Sequence, residues 1–466
     1  MLTQEPLQLN QMEQLNNKYP ASSKLFILTG LLLLSFGMMF GLTGMLQYII
    51  PGFLKQYLSF EKIRPLHVSS VVFWIIFGAI GSVINYVQQY TGRVIYSQRL
   101  VNIQWALFVG TTILILISYC LGIFGGREYW EFPPVLALPI IAGWLLFSIN
   151  FIKSMPTFQH QPVYVWMWLT GVVFFLFTFL ESYLWVFPSF RNNIVNDMTI
   201  QWKSYGSMVG AWNMLIYGCS IFLMEKISGD KNYGHSTIAF ALYFTGLFNL
   251  MFNWGHHIYT LPSHHFIQYI SYAVSMTELG ILGRILWKWK SSLSDVKKHF
   301  HYIAFRFLVA ADWWIFLSLL LAIMMSIPGV NLYTHGTHIT VAHTMGTTIG
   351  INTFLVLAIA FDILHVNCFG AVPYTKYFNK AYWLANISLF VFWIALILVG
   401  IEKAKWQMRA NRVPFSSMMH QIHPLFYIVF ASGLMLATAL LVIIYPMIKH
   451  QFECYISQKS SHAKSV

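Results

Sequence analysis

The chain is a succession of apolar runs joined by short polar segments, and that pattern restricts what it can fold into more than anything else. A bilayer's hydrocarbon core, about 30 Å thick, is crossed by a helix of about 20 residues. Runs of that kind fall at 25–50, 66–88, 103–125, 133–153, 163–187, 204–224, 236–256, 264–287, 303–327, 338–363, 380–400 and 423–448. Only helices and closed barrels satisfy the backbone inside lipid, and runs of this length predict an all-α integral membrane protein of about twelve transmembrane helices. Composition agrees, with 57% hydrophobic and 9% charged residues, against roughly 25% charged in soluble domains. No predicted loop exceeds about 25 residues, which leaves no room for an extramembrane domain. The expected organisation is one transmembrane domain over 1–466, with a polar N-terminal tail (1–24) and a polar C-terminal tail (450–466).

The net charge of +13 does not indicate nucleic-acid binding, because the basic residues sit in short loops between apolar runs. It reads as topology. Lys and Arg are denser in the even loops (Arg93, Arg99, Lys226, Lys231, Lys288, Lys290, Lys297, Lys298, Lys376, Lys380) and at Lys449. Basic loops stay cytoplasmic, so both termini are expected in the cytoplasm. The loop with Lys403, Lys405, Arg409 and Arg412 departs from that bias. Cys120, Cys219, Cys368 and Cys454 are scattered, with no Cys-x-x-Cys or Cys-x-x-Cys-His, which excludes a disulfide framework, a cysteine metal site and covalent heme attachment.

Three histidine-bearing stretches stand out. FNWGHHIYTLP puts His256 and His257 side by side at the end of the seventh run; RPLHVSSVVFW opens the second with His67; YTHGTHITVAHTMG leads into the tenth with His335, His338, His343 and Met345. Histidines are expensive in a membrane segment and usually face a cofactor, cavity or partner. The plain alternative is interfacial histidines bonded to loop backbone. On a helix His343 and Met345 point about 200° apart, so they face different ligands. A helix wedged between two flat cofactors uses both faces, and imidazole and thioether are both axial ligands of heme iron. Met345 alone reads equally well as a core methionine.

RPLH in the second helix, an adjacent histidine pair after Trp-Gly in the seventh and THGT…TVAH entering the tenth resemble subunit I of the heme-copper oxidase superfamily. The nearest branches in pattern are nitric oxide reductase, with its dismutase-like relatives, and the C-family oxidases. The resemblance implies two b-type hemes, one low-spin and one high-spin, and a non-heme metal facing the latter. His67 would ligate the low-spin heme, His343 the high-spin heme, and His256 with His257 the metal, while His335 would lie near the heme propionates. Met345 stands where relatives have the second histidine of the low-spin heme. Thioether ligation would raise the potential of that heme.

Relatives also place a histidine on the sixth helix as third metal ligand and, in nitric oxide reductases, a glutamate four residues later. Counted along QWKSYGSMVGAWNML from Gln201-Trp202, these fall on Gly206 and Gly210. Asn213 is the nearest donor, about 10 Å further along the axis. Two imidazoles hold a metal more weakly than three, so a histidine restored at Gly206 is expected to raise occupancy. Glu278 falls where nitric oxide reductases carry a glutamate near the pocket. It is a candidate for proton delivery or metal ligation, unless it pairs with Arg284. Glu181 is a second candidate for a proton path, and Asp312 has no assigned role. Two neutral nitrogens and a carboxylate suit iron better than copper.

Three functions are consistent with this reading. The first is nitric oxide conversion, by dismutation or by reduction; reduction would need a c-type cytochrome subunit as donor. The second is oxygen reduction, which relies on a tyrosine such as Tyr217, Tyr269 or Tyr272. The third is a heme-binding scaffold that has lost its non-heme metal.

Overall fold

The computed structural model describes residues 22–230, 232–276, 302–364 and 372–464. Glu278 and Arg284 lie outside the described residues, as does much of the predicted 264–287 span. Among the described residues eleven helices are long and apolar enough to cross a membrane, and a further helix covers 265–276. In chain order they are α1 (Ser22–Ile49), α2 (Phe60–Thr91), α3 (Gln98–Cys120), α4 (Ala137–Ser154), α5 (Val163–Glu181) and α6 (Ile194–Ser228). They continue with α7 (Thr237–Phe252), α8 (265–276), α9 (Tyr302–Ser326), α10 (His338–Leu364), α11 (Val372–Met408) and α12 (Phe415–Lys464). Extended pairing among the described residues is one isolated bridge between Arg127 and Trp130.

Local chemistry sets the helix ends. The side chains of Ser97, Asn193, Ser236 and Thr337 accept backbone N–H bonds at the starts of α3, α6, α7 and α10, satisfying donors a first turn otherwise leaves open. Asn193 starts α6 ten residues before its apolar run. The polar C-terminal stretch is helical, since α12 continues to Lys464. Polarity does not end a helix, and no glycine or proline follows Pro446.

Three helices form the centre. Their membrane-length windows are 78% (α2), 72% (α6) and 83% (α10) buried, against 56% for the next. Helices α2 and α10 run parallel and are joined by buried polar bonds. Trp74 Nε1 donates to Thr353 Oγ1 at 3.1 Å, and Tyr86 donates to Asp362 Oδ2 at 3.0 Å. Lys226 of α6 reaches the same carboxylate at 2.7 Å and Gln89 Oε1 at 3.1 Å. Above Trp74 the two helices part, and His338–Met345 makes little or no direct contact with α2.

Removing one partner of a buried ion pair leaves a charge uncompensated and costs about 3–5 kcal/mol, whereas replacing both with apolar residues is often neutral. Asp362→Leu alone is therefore expected to lower the thermal unfolding midpoint in detergent clearly, and Lys226→Met/Asp362→Leu to recover most of the loss. Equal losses in the single and double variants would show that the pair is not what ties the lower bundle together.

Candidate functional site

The histidine pair sits where α7 ends. After Phe252 the chain tightens into a 3-10 helix, Asn253–Ile258, whose winding spreads adjacent side chains by about 120°, so any approach of the two rings comes from the side chains. The two rings lie 4.2 Å apart at 39°. His256 Nδ1 is 3.2 Å from Asn253 Oδ1, and the His256 carbonyl accepts from Asn331 Nδ2 at 3.1 Å. His257 stacks on Trp202 of α6, 4.8 Å away and inclined by 11°. His335 completes the group, 5.9 Å from His257 and 6.0 Å from Trp202.

His343 comes to the same place from α10. It lies within electrostatic reach of both His256 and His257. His343 and Met345 end the regular α-helical turns of α10, and Gly346–Thr353 continues as a π-helix. Such wide turns recur at functional sites. The buried Nδ1 atoms of His257 and His343 have no hydrogen-bond partner of good geometry.

On α2, His67 Nδ1 is 2.7 Å from the carbonyl of Gly37. A carbonyl only accepts, so Nδ1 carries the proton and Nε2 keeps a free lone pair. The contact needs glycine at position 41, where a Cβ would come within 2.8 Å of the imidazole. Met345, at the end of the regular turns of α10, is half-buried and packs against the apolar core.

These residues fit the groups expected from the sequence. His67, His256, His257 and His343 lie deep in the bundle yet keep accessible surface, so they line internal space rather than packed core. Imidazoles that keep accessible surface are a donor set that suits heme iron. The non-heme metal is less well provided for. Among the described residues no three or more His, Cys, Asp or Glu side chains come together as a metal site.

The reason is visible on α6. A Cβ at Gly206 would lie 2.7 Å from Trp254 Cβ, and one at Gly210 would lie 2.8 Å from Leu250 Cβ. Both glycines form a seam against α7, and the position that could face the histidine pair is occupied by the backbone and side chain of Trp254. This corrects the expectation for Gly206, since an imidazole there has no room to reach the pair. Asn213 Oδ1 is buried without a partner.

Other candidates fall elsewhere. Glu181, expected on a proton path, is ion-paired with Lys203. Tyr269 and Tyr272, at 72% and 37% exposure, face outward. Tyr217 packs against the core.

A charged rim lies beside the histidines. Arg64, one turn before His67, pairs with Glu128 and, at 3.4 Å, with Glu131; Arg127 holds Asp197 at 2.7 Å. Burial raises the Glu131 carboxyl above the usual range and pushes Tyr129 up to about 12. Burial also lowers His335, against an opposing pull from Glu128, and keeps its imidazole neutral near pH 7. Trp202 and Asn253 are the site residues the sequence left unassigned. Trp202 was visible only as half of a Gln-Trp pair, and Asn253 only by standing three residues before His256 in a helix end.

Overpacking a tight helix seam costs about 1–3 kcal/mol. Gly206→His is therefore expected to lower both the unfolding midpoint and the non-heme metal content relative to wild type. A rise in metal content would show that α6 and α7 separate enough to admit the ring.

Comparison with known proteins places this geometry. The family described as cytochrome c and quinol oxidase polypeptide I matches residues 22–435. A nitric oxide reductase polypeptide of Stutzerimonas stutzeri is 22% identical over 462 residues, covering 91% of this chain and 94% of that protein. A cytochrome c oxidase subunit 1 homolog of Agrobacterium tumefaciens (strain T37) is 24% identical over 458 residues, covering 88% and 79%. A heme-copper terminal oxidase dimer solved by cryo-electron microscopy has the same fold, with a TM-score of 0.69 at 13% identity over 92% of this chain and 84% of that one. The chain is an integral membrane protein and belongs to the cytochrome c and quinol oxidase polypeptide I family, that is, subunit I of the heme-copper oxidase superfamily.

Proposed function

We propose that the chain is the catalytic subunit of an oxidoreductase that converts nitric oxide, using two b-type hemes and a non-heme iron, in the inner membrane of a bacterium with both termini cytoplasmic. The observation that carries this reading is the pairing of the His256 and His257 rings 4.2 Å apart, beside an α6 position closed by Trp254. His67 and Met345 would hold the low-spin heme, His343 the high-spin heme, and His256 with His257 the iron. When bound, these groups supply electron exchange and paired metal sites for a small diatomic.

The chain's own residues prepare those sites. His67 presents Nε2 because Nδ1 is engaged by Gly37. Trp202 fixes the plane of the His257 ring, and a neutral His335 adds no positive charge next to it. Glu278, outside the described residues, is proposed as the carboxylate that delivers protons or completes the metal's shell. Two nitrogens and a carboxylate favour iron over copper.

Two molecules of nitric oxide give nitrous oxide and water when two electrons and two protons enter, and dinitrogen and dioxygen when none do. The missing third ligand favours dismutation, which needs no net electrons and no c-type cytochrome partner. The likeness to the nitric oxide reductase of Stutzerimonas stutzeri supports the substrate. The similarity to an oxidase subunit keeps oxygen reduction as a second reading, although the outward-facing Tyr269 and Tyr272 weigh against it.

Purified protein given isotopically labelled nitric oxide decides between them. Labelled dinitrogen and dioxygen without a donor identify dismutation, nitrous oxide formed only with a reduced donor identifies reduction, and oxygen uptake alone identifies an oxidase. No turnover by protein holding two hemes and no other metal would identify a scaffold. His67→Ala is expected to abolish the low-spin optical signal and His343→Ala the high-spin one; unchanged spectra in both would sink the architecture. Met345→His is expected to lower the low-spin potential, and an unmoved potential would return Met345 to the core.

A further inference from the structure

The two adjacent imidazoles are held in different ways. Asn253 Oδ1, which faces His256 Nδ1 at 3.2 Å, also accepts a hydrogen bond from Ser275 Oγ of α8. Ser275 is reached in turn by Ser326 Oγ, at the end of α9, at 3.2 Å. One turn before Ser275, Ser271 donates to the Asn253 carbonyl at 2.9 Å. Ser271, Ser275, Ser326 and Asn331 are all buried, at 0%, 5%, 1% and 1% exposure. Asn253 and Asn331 thus bond His256 directly, and Ser275 and Ser326 form a buried chain behind Asn253. His257 is instead met by ring contacts, stacked on Trp202 and edge-on to His335, and its buried Nδ1 has no hydrogen-bond partner.

The chemistry of the two arrangements differs. An amide oxygen offers lone pairs only, so opposite Nδ1 it requires an N–H there and leaves the neutral ring's lone pair on Nε2. Stacking fixes the plane of a ring but not which nitrogen carries the proton. The Ser271 bond alone would tie the 3-10 turn to α8, so the separate bond from the Asn253 side chain acts on the ring itself. In a site with two protein nitrogens instead of three, orienting one of them in advance matters more.

We propose that Asn253 is a positioning residue for the non-heme metal. Backed by Ser275 and Ser326, it sets the tautomer and direction of His256 and makes that histidine the anchoring ligand, with His257 the exchangeable one. This deepens the function proposed above and rests on its assignment of His256 and His257 to a metal.

The test uses purified heme-loaded protein titrated with ferrous iron, with non-heme iron counted as total less heme iron and its release to a ferrous chelator timed. Loss of an outer-shell partner of a metal-bound histidine typically weakens affinity about 10–100-fold. Asn253→Leu is expected to show a loss of that size with its heme spectra unchanged. Asn253→Asp, which keeps the acceptor, is expected to restore most of it, and His256→Ala to lose more affinity than His257→Ala. Wild-type iron affinity in Asn253→Leu would overturn the proposal, and so would equal losses in the two histidine variants or collapse of the heme spectra in both Asn253 variants. If wild type itself takes up no ferrous iron, the functional reading falls first, a result separable from all of these because it appears in the wild-type arm alone.

Discussion

The carboxylate of Asp362, deep between α2, α6 and α10, is the point on which the upper half of the bundle depends. Tyr86 and Lys226 converge on it, and with the Trp74–Thr353 bond they hold the lower halves of α2 and α10 together. A parallel helix pair clamped along only part of its length can open along the rest without losing its register. The opened part is where His67, His343 and Met345 lie. Internal space is costly in a protein that otherwise packs like a crystal, so it persists only where something enforces the separation or fills it.

The same logic explains the histidine pair. Adjacent side chains diverge by about 100° on an α-helix and by about 120° on the 3-10 turn at Asn253–Ile258, so the two rings meet through their side chains, each against its own neighbours, Asn253 and Trp202. That turn is held against α6 by the glycine seam at Gly206 and Gly210, so the close packing that positions the pair also denies it a third ligand from that helix. In this chain the absence of the α6 imidazole and the placement of Trp254 are one structural fact.

Much of this was legible in the sequence, for identifiable reasons. Run length alone located the membrane-spanning helices, because lipid permits few alternatives. The adjacency of His256 and His257 marked the stretch out, although neighbours on a helix diverge and the 4.2 Å approach of their rings was not contained in it. What remained hidden depends on contacts between distant segments. Nothing in periodicity places Trp202 on His257 or Ser326 behind Asn253. Gly206 was readable as a missing ligand but not as half of a seam, since Trp254 lies nearly fifty residues away. Glu181 looked like an isolated membrane acid until Lys203 came beside it, and the helical end of α12 was disguised by polar residues that do nothing to stop a helix.

The π-helical segment Gly346–Thr353 has a geometric effect on everything above it. A π-turn accommodates one extra residue relative to an α-turn, so it sets the azimuth of the preceding residues against the lower half of α10. At about 100° per residue, the same sequence wound as uninterrupted α-helix would swing His343 and Met345 by about a quarter of a turn about the axis. The wide turn is thus a phase adjustment. It lets one helix keep its polar clamp to α2 below while aiming two side chains in opposite directions above.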